Sequence, residues 1–130
     1  MRIRRLDHLV LTAADIDATC DFYRDVLGMT VTTFGEGRKA LVFADQKINL
    51  HRQDDEILPR AARPVPGSLD ICLLSMDPME QILRHLQEHD ITIEEGPVRR
   101  TGATGPILSV YFRDPDGNLI EVATPLASSR

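Results

Sequence analysis

The stretch Leu6–Phe34, LDHLVLTAADIDATCDFYRDVLGMTVTTF, changes its hydrophobic period twice, and those changes decide the fold. Leu6 to Thr12 is short, rich in Leu and Val, and runs into the polar Thr-Ala-Ala-Asp, which predicts a strand followed by a helix start. Asp15 is placed to cap that helix. Ile16, Cys20, Tyr23 and Leu27 then recur at three- or four-residue steps, and Gly28 supplies the left-handed stop. From Met29 to Phe34 the pattern is β-rich again. Outward from this stretch, Lys39–Phe43 and Lys47–His51 read as two further strands, separated by Gly35-Glu36-Gly37 and Ala44-Asp45-Gln46 turn chemistry.

Arg52 to Gly67 carries prolines, Asp54, Asp55 and Glu56 without an apolar period, so it reads as a connector. The pattern then restarts. Leu69–Ser75 is a strand candidate, Asp77 is the expected cap with Pro78 at the first helical position, and Met79, Ile82, Leu83 and Leu86 form an apolar stripe closed at Asp90. Ile91–Glu95, Ile107–Phe112 and Asn118–Ala123 are expected strands, the last two joined by Asp114-Pro115-Asp116-Gly117. His8 falls on Asp70 and Asp15 on Asp77 at a constant offset of 62 residues. The predicted class is therefore α+β: two paired βαβββ modules, about residues 4–52 and 67–124 with a connector at 53–66. Their curved mixed sheets are expected to surround a shared cavity.

A chain of 130 residues has room for one full-sized core, and 42% hydrophobic with 27% charged residues excludes a disordered, collagen-like or disulfide-stapled chain. No apolar run approaches a membrane span and no signal-peptide core follows the first residues, so the expected location is cytoplasmic, with no membrane partner. The net charge of −5 with scattered basic residues predicts no nucleic-acid partner. Cys20 and Cys72, with apolar neighbours, are expected to be buried thiols.

Alternate strand residues face opposite sides. If Leu9, Leu11, Ile48, Leu50, Leu69, Ile71, Leu73, Ile120 and Val122 pack beneath the helices, then His8, Asn49, His51, Asp70 and Glu121 point to the other face. Two imidazoles and two carboxylates suit a borderline divalent ion such as Ni, Zn, Mn, Fe or Co. The candidate metal ligands are accordingly His8, His51, Asp70 and Glu121. His85 and His89, four apart on the second helix, are read as structural, as helix-end histidines that interact with the macrodipole. Arg99–Pro106 reads as a glycine-containing loop whose Arg99 and Arg100 offer guanidinium groups to an anionic ligand, beside the plainer reading of solvated arginines.

The segment Asp21-Phe22-Tyr23-Arg24-Asp25-Val26-Leu27-Gly28-Met29 and the close Phe112-Arg113-Asp114-Pro115-Asp116-Gly117-Asn118-Leu119-Ile120-Glu121, with His8 on the first strand, resemble the vicinal oxygen chelate superfamily. Its members include glyoxalase I, fosfomycin and bleomycin resistance proteins, and extradiol dioxygenases. The resemblance implies a homodimer and metal ligands on the first and last strands, matched here by His8 and Glu121. The strand-four Glu of glyoxalase I falls near Asn49 or His51, with His51 favoured; Asp70 stands where the family has His. Thr12 stands where glyoxalase I has the Arg that holds glutathione. Tyr111 matches a substrate-contacting Tyr of the fosfomycin branch, and Asn49 and Arg100 join it as candidate substrate-binding residues. The implied activity is lyase or isomerase chemistry on a small molecule with vicinal oxygens, with Glu121 as catalytic proton acceptor. The alternatives are an extradiol-type dioxygenase using His8, His51 and Glu121, or a non-catalytic antibiotic-binding protein; the absence of Trp and only six Phe or Tyr argue against the second.

Overall fold

The computed structural model describes residues 1–127. The chain divides into two compact units, Met1–Leu69 and a second that begins at Asp70. In the first, β1 (His8–Ala13), α1 (Ile16–Asp25), β2 (Thr30–Phe34), β3 (Arg38–Phe43) and β4 (Gln46–Arg52) follow in order. The second repeats the plan with β5 (Asp70–Leu74), α2 (Met79–Glu88), β6 (Glu95–Gly102), β7 (Gly105–Arg113) and β8 (Leu119–Pro125). Both sheets are mixed and have four strands, in the orders β1-β4-β3-β2 and β5-β8-β7-β6. In each, the strand before the helix pairs in parallel with the last strand, and the remaining pairs are antiparallel. This is the expected α+β plan of two βαβββ modules.

The first helix begins where its cap chemistry puts it: the Asp15 carboxylate accepts a hydrogen bond from the Ala18 amide at 3.1 Å. Gly28, at φ +70°, takes the left-handed conformation that lets the chain leave the helix and enter β2. Cys20 and Tyr23 of α1 and Val26 at its C-terminal cap are buried, as are Leu11, Leu41, Ile48 and Leu50 on one side of the first sheet. The second module buries Ile82 and Leu86 of α2 and the apolar row Val110, Phe112, Ile120 and Val122. Burying four such side chains contributes on the order of 6–12 kcal/mol, which is why the apolar parity of each strand is fixed.

Three sequence expectations need correction. Pro78 is extended (φ −67°, ψ 152°) and occupies the cap position itself, so α2 starts at Met79 without a side-chain cap bond, and Asp77 is not the cap. Ile91–Glu95 is not a strand. The Ile91 amide closes the end of α2 by donating to the Leu86 carbonyl, and sheet pairing begins only at Glu94, whose amide donates to the Tyr111 carbonyl. The sixth strand therefore lies at Glu95–Gly102, with a register shift between Glu95 and Val98. Within that shift a Cβ on Gly96 would come 2.3 Å from the Ser109 carbonyl oxygen, so the close approach of β6 to β7 requires glycine. The expected loop Arg99–Pro106 is consequently a hairpin, with Thr101 paired to Pro106 and Gly102 to Gly105. Polar side chains are tolerated there because β6 is the sheet edge.

The turn between β7 and β8 is held from inside. The Asp114 carboxylate accepts from the amides of Asp116 and Asn118, both at 2.9 Å, and from the Asn118 side-chain amide at 2.7 Å, and both Asp114 and Asn118 are buried. Asp114→Ala removes three charge-assisted bonds while leaving buried donors behind. Urea denaturation should show a loss of about 2–3 kcal/mol; a loss below about 0.5 kcal/mol would mean the carboxylate does not hold the turn.

Candidate functional site

Strand register assigns the polar face of each sheet. In the first module His8 pairs with Lys47, Val10 with Asn49 and Thr12 with His51, so these side chains share one face. Ala40 pairs with Asn49 from the other side, and Phe34 with Arg38. His8 and His51 are thus on one face, as expected, but four residues apart along it, roughly 13 Å at ordinary strand rise. Within this module the two imidazoles do not meet on one ion.

Their surroundings differ as well. The His8 ring is half-exposed, and its Nδ1 donates to the Asp7 carboxylate at 2.8 Å, which leaves Nε2 without a hydrogen-bond partner among the described residues. A carboxylate on the far ring nitrogen is the arrangement that orients a metal-binding imidazole and raises its basicity. His51 is buried, and its Nε2 accepts a hydrogen bond from the Arg38 guanidinium at 3.2 Å. Burial pushes the His51 pKa down, and the neighbouring Arg38 charge pushes it further, against a smaller opposing effect of Asp55. A lone pair occupied by a guanidinium, beside a fixed positive charge, is a poor donor to a cation. The strand-four position equivalent to Glu121 is set by the same register. Cys72 pairs with Glu121 as Val10 pairs with Asn49, so the counterpart is Asn49, and His51 lies one step beyond it.

Arg38 was not evident from the sequence as a site residue, although its place opposite His51 follows from the β3–β4 turn. Its Nε and the Asn49 Oδ1 are buried with no hydrogen-bond partner. Each such group costs about 1–3 kcal/mol.

In the second module Tyr111 and Cys72 flank Glu121 directly across the sheet, and Asp70 is two residues from Cys72 along β5. Asp70 and Glu121 are therefore diagonal neighbours on one face. Ser109 Oγ donates to Glu121 Oε2 at 2.6 Å. That hydroxyl fixes one carboxylate oxygen, and the Cys72 thiol is a second hydrogen-bond partner of the carboxylate. Cys72 is exposed, correcting the expectation of a buried thiol; Cys20 is buried. Desolvation, with the Glu121 carboxylate and its hydrogen bond adding to it, pushes the Cys72 thiol up to about 11. It is a neutral thiol at physiological pH and not a nucleophile. Ser109 and Cys72 were legible in principle, since both share the parity of residues already placed on that face.

Tyr111 and Arg100 come together. Arg100 Nε donates to the Tyr111 hydroxyl at 3.0 Å, its guanidinium lies 5.5 Å from the ring centroid, and it also donates to Glu95 at 3.1 Å. The hairpin, and not a mobile loop, aims this guanidinium. The His85 and His89 rings lie 4.3 Å apart between centroids, tilted by 45°, and His89 Nδ1 donates to the His85 carbonyl. Among the described residues no three His, Cys, Asp or Glu side chains are gathered as a metal site, and no helix is long and apolar enough to cross a membrane.

With this fold and these faces in place, the family can be stated. Residues 5–122 match the model of the Glyoxalase/Bleomycin resistance protein/Dioxygenase superfamily, and the chain belongs to that superfamily. It is 54% identical over 123 residues to the virulence protein STM3117 of Salmonella typhimurium, covering 95% of this chain and 85% of that one. It is 56% identical over 124 residues to the glyoxalase domain-containing protein RDO1 of Mycosarcoma maydis, covering 95% and 70%. The metallothiol transferase FosB of Staphylococcus epidermidis is 26% identical over 132 residues, covering 100% and 88%. Among solved structures, STM3117 superposes with a TM-score of 0.95 at 52% identity, over 97% of this chain and 100% of that one. The lactoylglutathione lyase of Agrobacterium tumefaciens superposes at 0.72 with 25% identity, over 95% of each.

The depressed His51 pKa has a testable sign. The unfolded chain takes up this proton near the ordinary value of 6.5, the folded chain only at lower pH. The stability contributed by neutral His51 is full above that value and falls as pH drops through the window beneath it. An NMR titration of the ring signals should place the His51 midpoint below 6.5, and Arg38→Met should raise it. A midpoint at or above 6.5 in the parent protein would contradict the assignment.

Proposed function

We propose that this protein is a metal-dependent enzyme of the glyoxalase kind, with lyase or isomerase chemistry on a small molecule bearing adjacent oxygen atoms. The observation that carries the reading is the His8–Asp7 pair, which presents a bare, oriented Nε2 at the position the superfamily uses for its first-strand ligand. The donor chemistry of the second module fits the same group: Glu121 and Asp70 are diagonal carboxylates on one face, and Glu121 keeps one oxygen unengaged by Ser109. His8, Glu121 and Asp70 would hold a divalent ion, drawn from Ni, Zn, Mn, Fe and Co. When bound, such an ion supplies Lewis acidity for charge developing on a substrate oxygen.

The remaining work belongs to the side chains. Glu121 is the proton acceptor, with Ser109 holding its carboxylate in one orientation through Oε2. Arg100 and Tyr111, locked to each other, offer N–H and O–H donors to an oxygen of the substrate. His51 leaves the ligand set because Arg38 occupies its Nε2, and this weakens the dioxygenase alternative, which needs a second imidazole. The similarity to FosB and to a lactoylglutathione lyase supports the enzyme reading at the level of the superfamily. Thr12, where an arginine would hold glutathione, favours a substrate other than a glutathione adduct.

Protein purified without chelator should carry close to one divalent ion per chain by elemental analysis. His8→Ala and Glu121→Ala should each weaken metal binding at least about tenfold, a loss of roughly 1.4 kcal/mol, whereas His51→Ala should leave it within about twofold. Metal-free protein, or an ion lost only in His51→Ala, would contradict the proposal.

A further inference from the structure

Whereas the second module carries the carboxylates, the polar face of the first is positively charged. Arg38 and Lys47 lie on it, and no Asp or Glu occupies that face in the paired register. Arg38 has no ion-pair partner among the described residues. Its guanidinium is held by the single hydrogen bond to His51 and by stacking on Phe34, 4.8 Å from the ring centroid. The Lys47 ammonium sits 4.4 Å from the centroid of that ring. Phe34 and Lys47 belong to different rows of the face, so their contact crosses the middle row, where Ala40 is 1% and Asn49 6% exposed. Beneath this cover lie a donor without an acceptor, Arg38 Nε, and an acceptor without a donor, Asn49 Oδ1.

We propose that the Arg38–Asn49–His51 corner of the first module is a binding subsite for a small carboxylate with a hydroxyl on the adjacent carbon. The carboxylate accepts from the guanidinium, whose fixed fork matches two oxygens in a plane. The neighbouring hydroxyl donates to Asn49 Oδ1. Both orphaned atoms are then satisfied by one ligand, which a plain anion does not achieve, because an anion has no proton for the amide oxygen. Sulfate, which carries no proton at neutral pH, fails for the same reason. Arg38 is half-buried and bound by one directional contact, so its guanidinium turns toward a ligand at the loss of a single weak bond. His51 serves as the rest that holds the guanidinium of Arg38, a diagonal neighbour of Asn49 in the register, which accounts for a buried imidazole paired with a cation. The subsite stands on the first module alone and does not depend on a metal.

Calorimetric titration of the chelator-treated protein at neutral pH with glycolate, acetate, methyl glycolate and sulfate tests this. Glycolate is expected to bind saturably at one site per chain, acetate and sulfate at least about tenfold more weakly, and the uncharged ester not measurably. Arg38→Met should weaken glycolate binding at least about tenfold. Should that variant fail to fold, the parent protein still decides the matter: the Arg38 Nε–H and Asn49 side-chain amide NMR signals should shift saturably with glycolate. No saturable heat or shift, equal binding of acetate or sulfate, or undiminished binding by folded Arg38→Met would each overturn the proposal. Because the protein is metal-free and the signals belong to the first module, failure of the metal reading leaves these outcomes unaffected.

Discussion

Everything in this chain depends on the parallel pairing of the first and last strands of each module. His8–Ala13 lies beside Gln46–Arg52, and Asp70–Leu74 beside Leu119–Pro125, in registers that set Leu9 level with Ile48, Leu11 with Leu50, Ile71 with Ile120 and Leu73 with Val122. A slip of one residue in either pair would turn Leu11 and Ile48, or Ile120 and Val122, toward the polar face and bury Glu121 or Asn49 among apolar groups. The apolar rows therefore hold the register, and the register holds the chemistry. The helices are the means by which the apolar rows are kept from water.

The same architecture carries different chemistry in its two copies. Where the second module sets Glu121 opposite Cys72, the first sets Asn49 opposite Val10, an amide in place of a carboxylate. The neighbouring strand then supplies Arg38, whose charge suits an anion and opposes a cation. In the second module the basic groups that reach the polar face are already paired, Arg100 with Glu95 and Tyr111, and Arg113 with Glu94. Glu94 is held below the usual carboxylate range by that arginine, so its pair persists at physiological pH. The two copies of the fold unit thus carry carboxylates at this place in the second module and an amide beside a guanidinium in the first.

Much of this was legible from residues alone. Period-two alternation with Asp15 and Gly28 punctuation placed the first module's elements closely, and it assigned His8, Asn49, His51, Asp70 and Glu121 to the face opposite the apolar rows. Legibility ended where partners across strands decide the outcome. Alternation says that His8 and His51 share a face; only the pairing of Thr12 with His51 says how far apart they stand. No property of position 38 by itself announces that its guanidinium occupies an imidazole nitrogen. The edge hairpin was obscured because Arg99, Arg100 and Thr101 have the composition of a loop, and the closeness of Gly96 to Ser109 is a long-range constraint. Cys72 looked buried because its sequence neighbours are apolar, although strand neighbours in sequence lie on the opposite face.

The central claim, that His8 and Glu121 are ligands to a single kind of cation while His51 is not, is reached most directly by anomalous diffraction from crystals soaked in manganese or nickel. The account predicts anomalous density at bonding distance from His8 Nε2 and from a Glu121 carboxylate oxygen, with His51 Nε2 still turned to Arg38. Density at His51, at the His85–His89 pair, or at neither His8 nor Glu121 would contradict it.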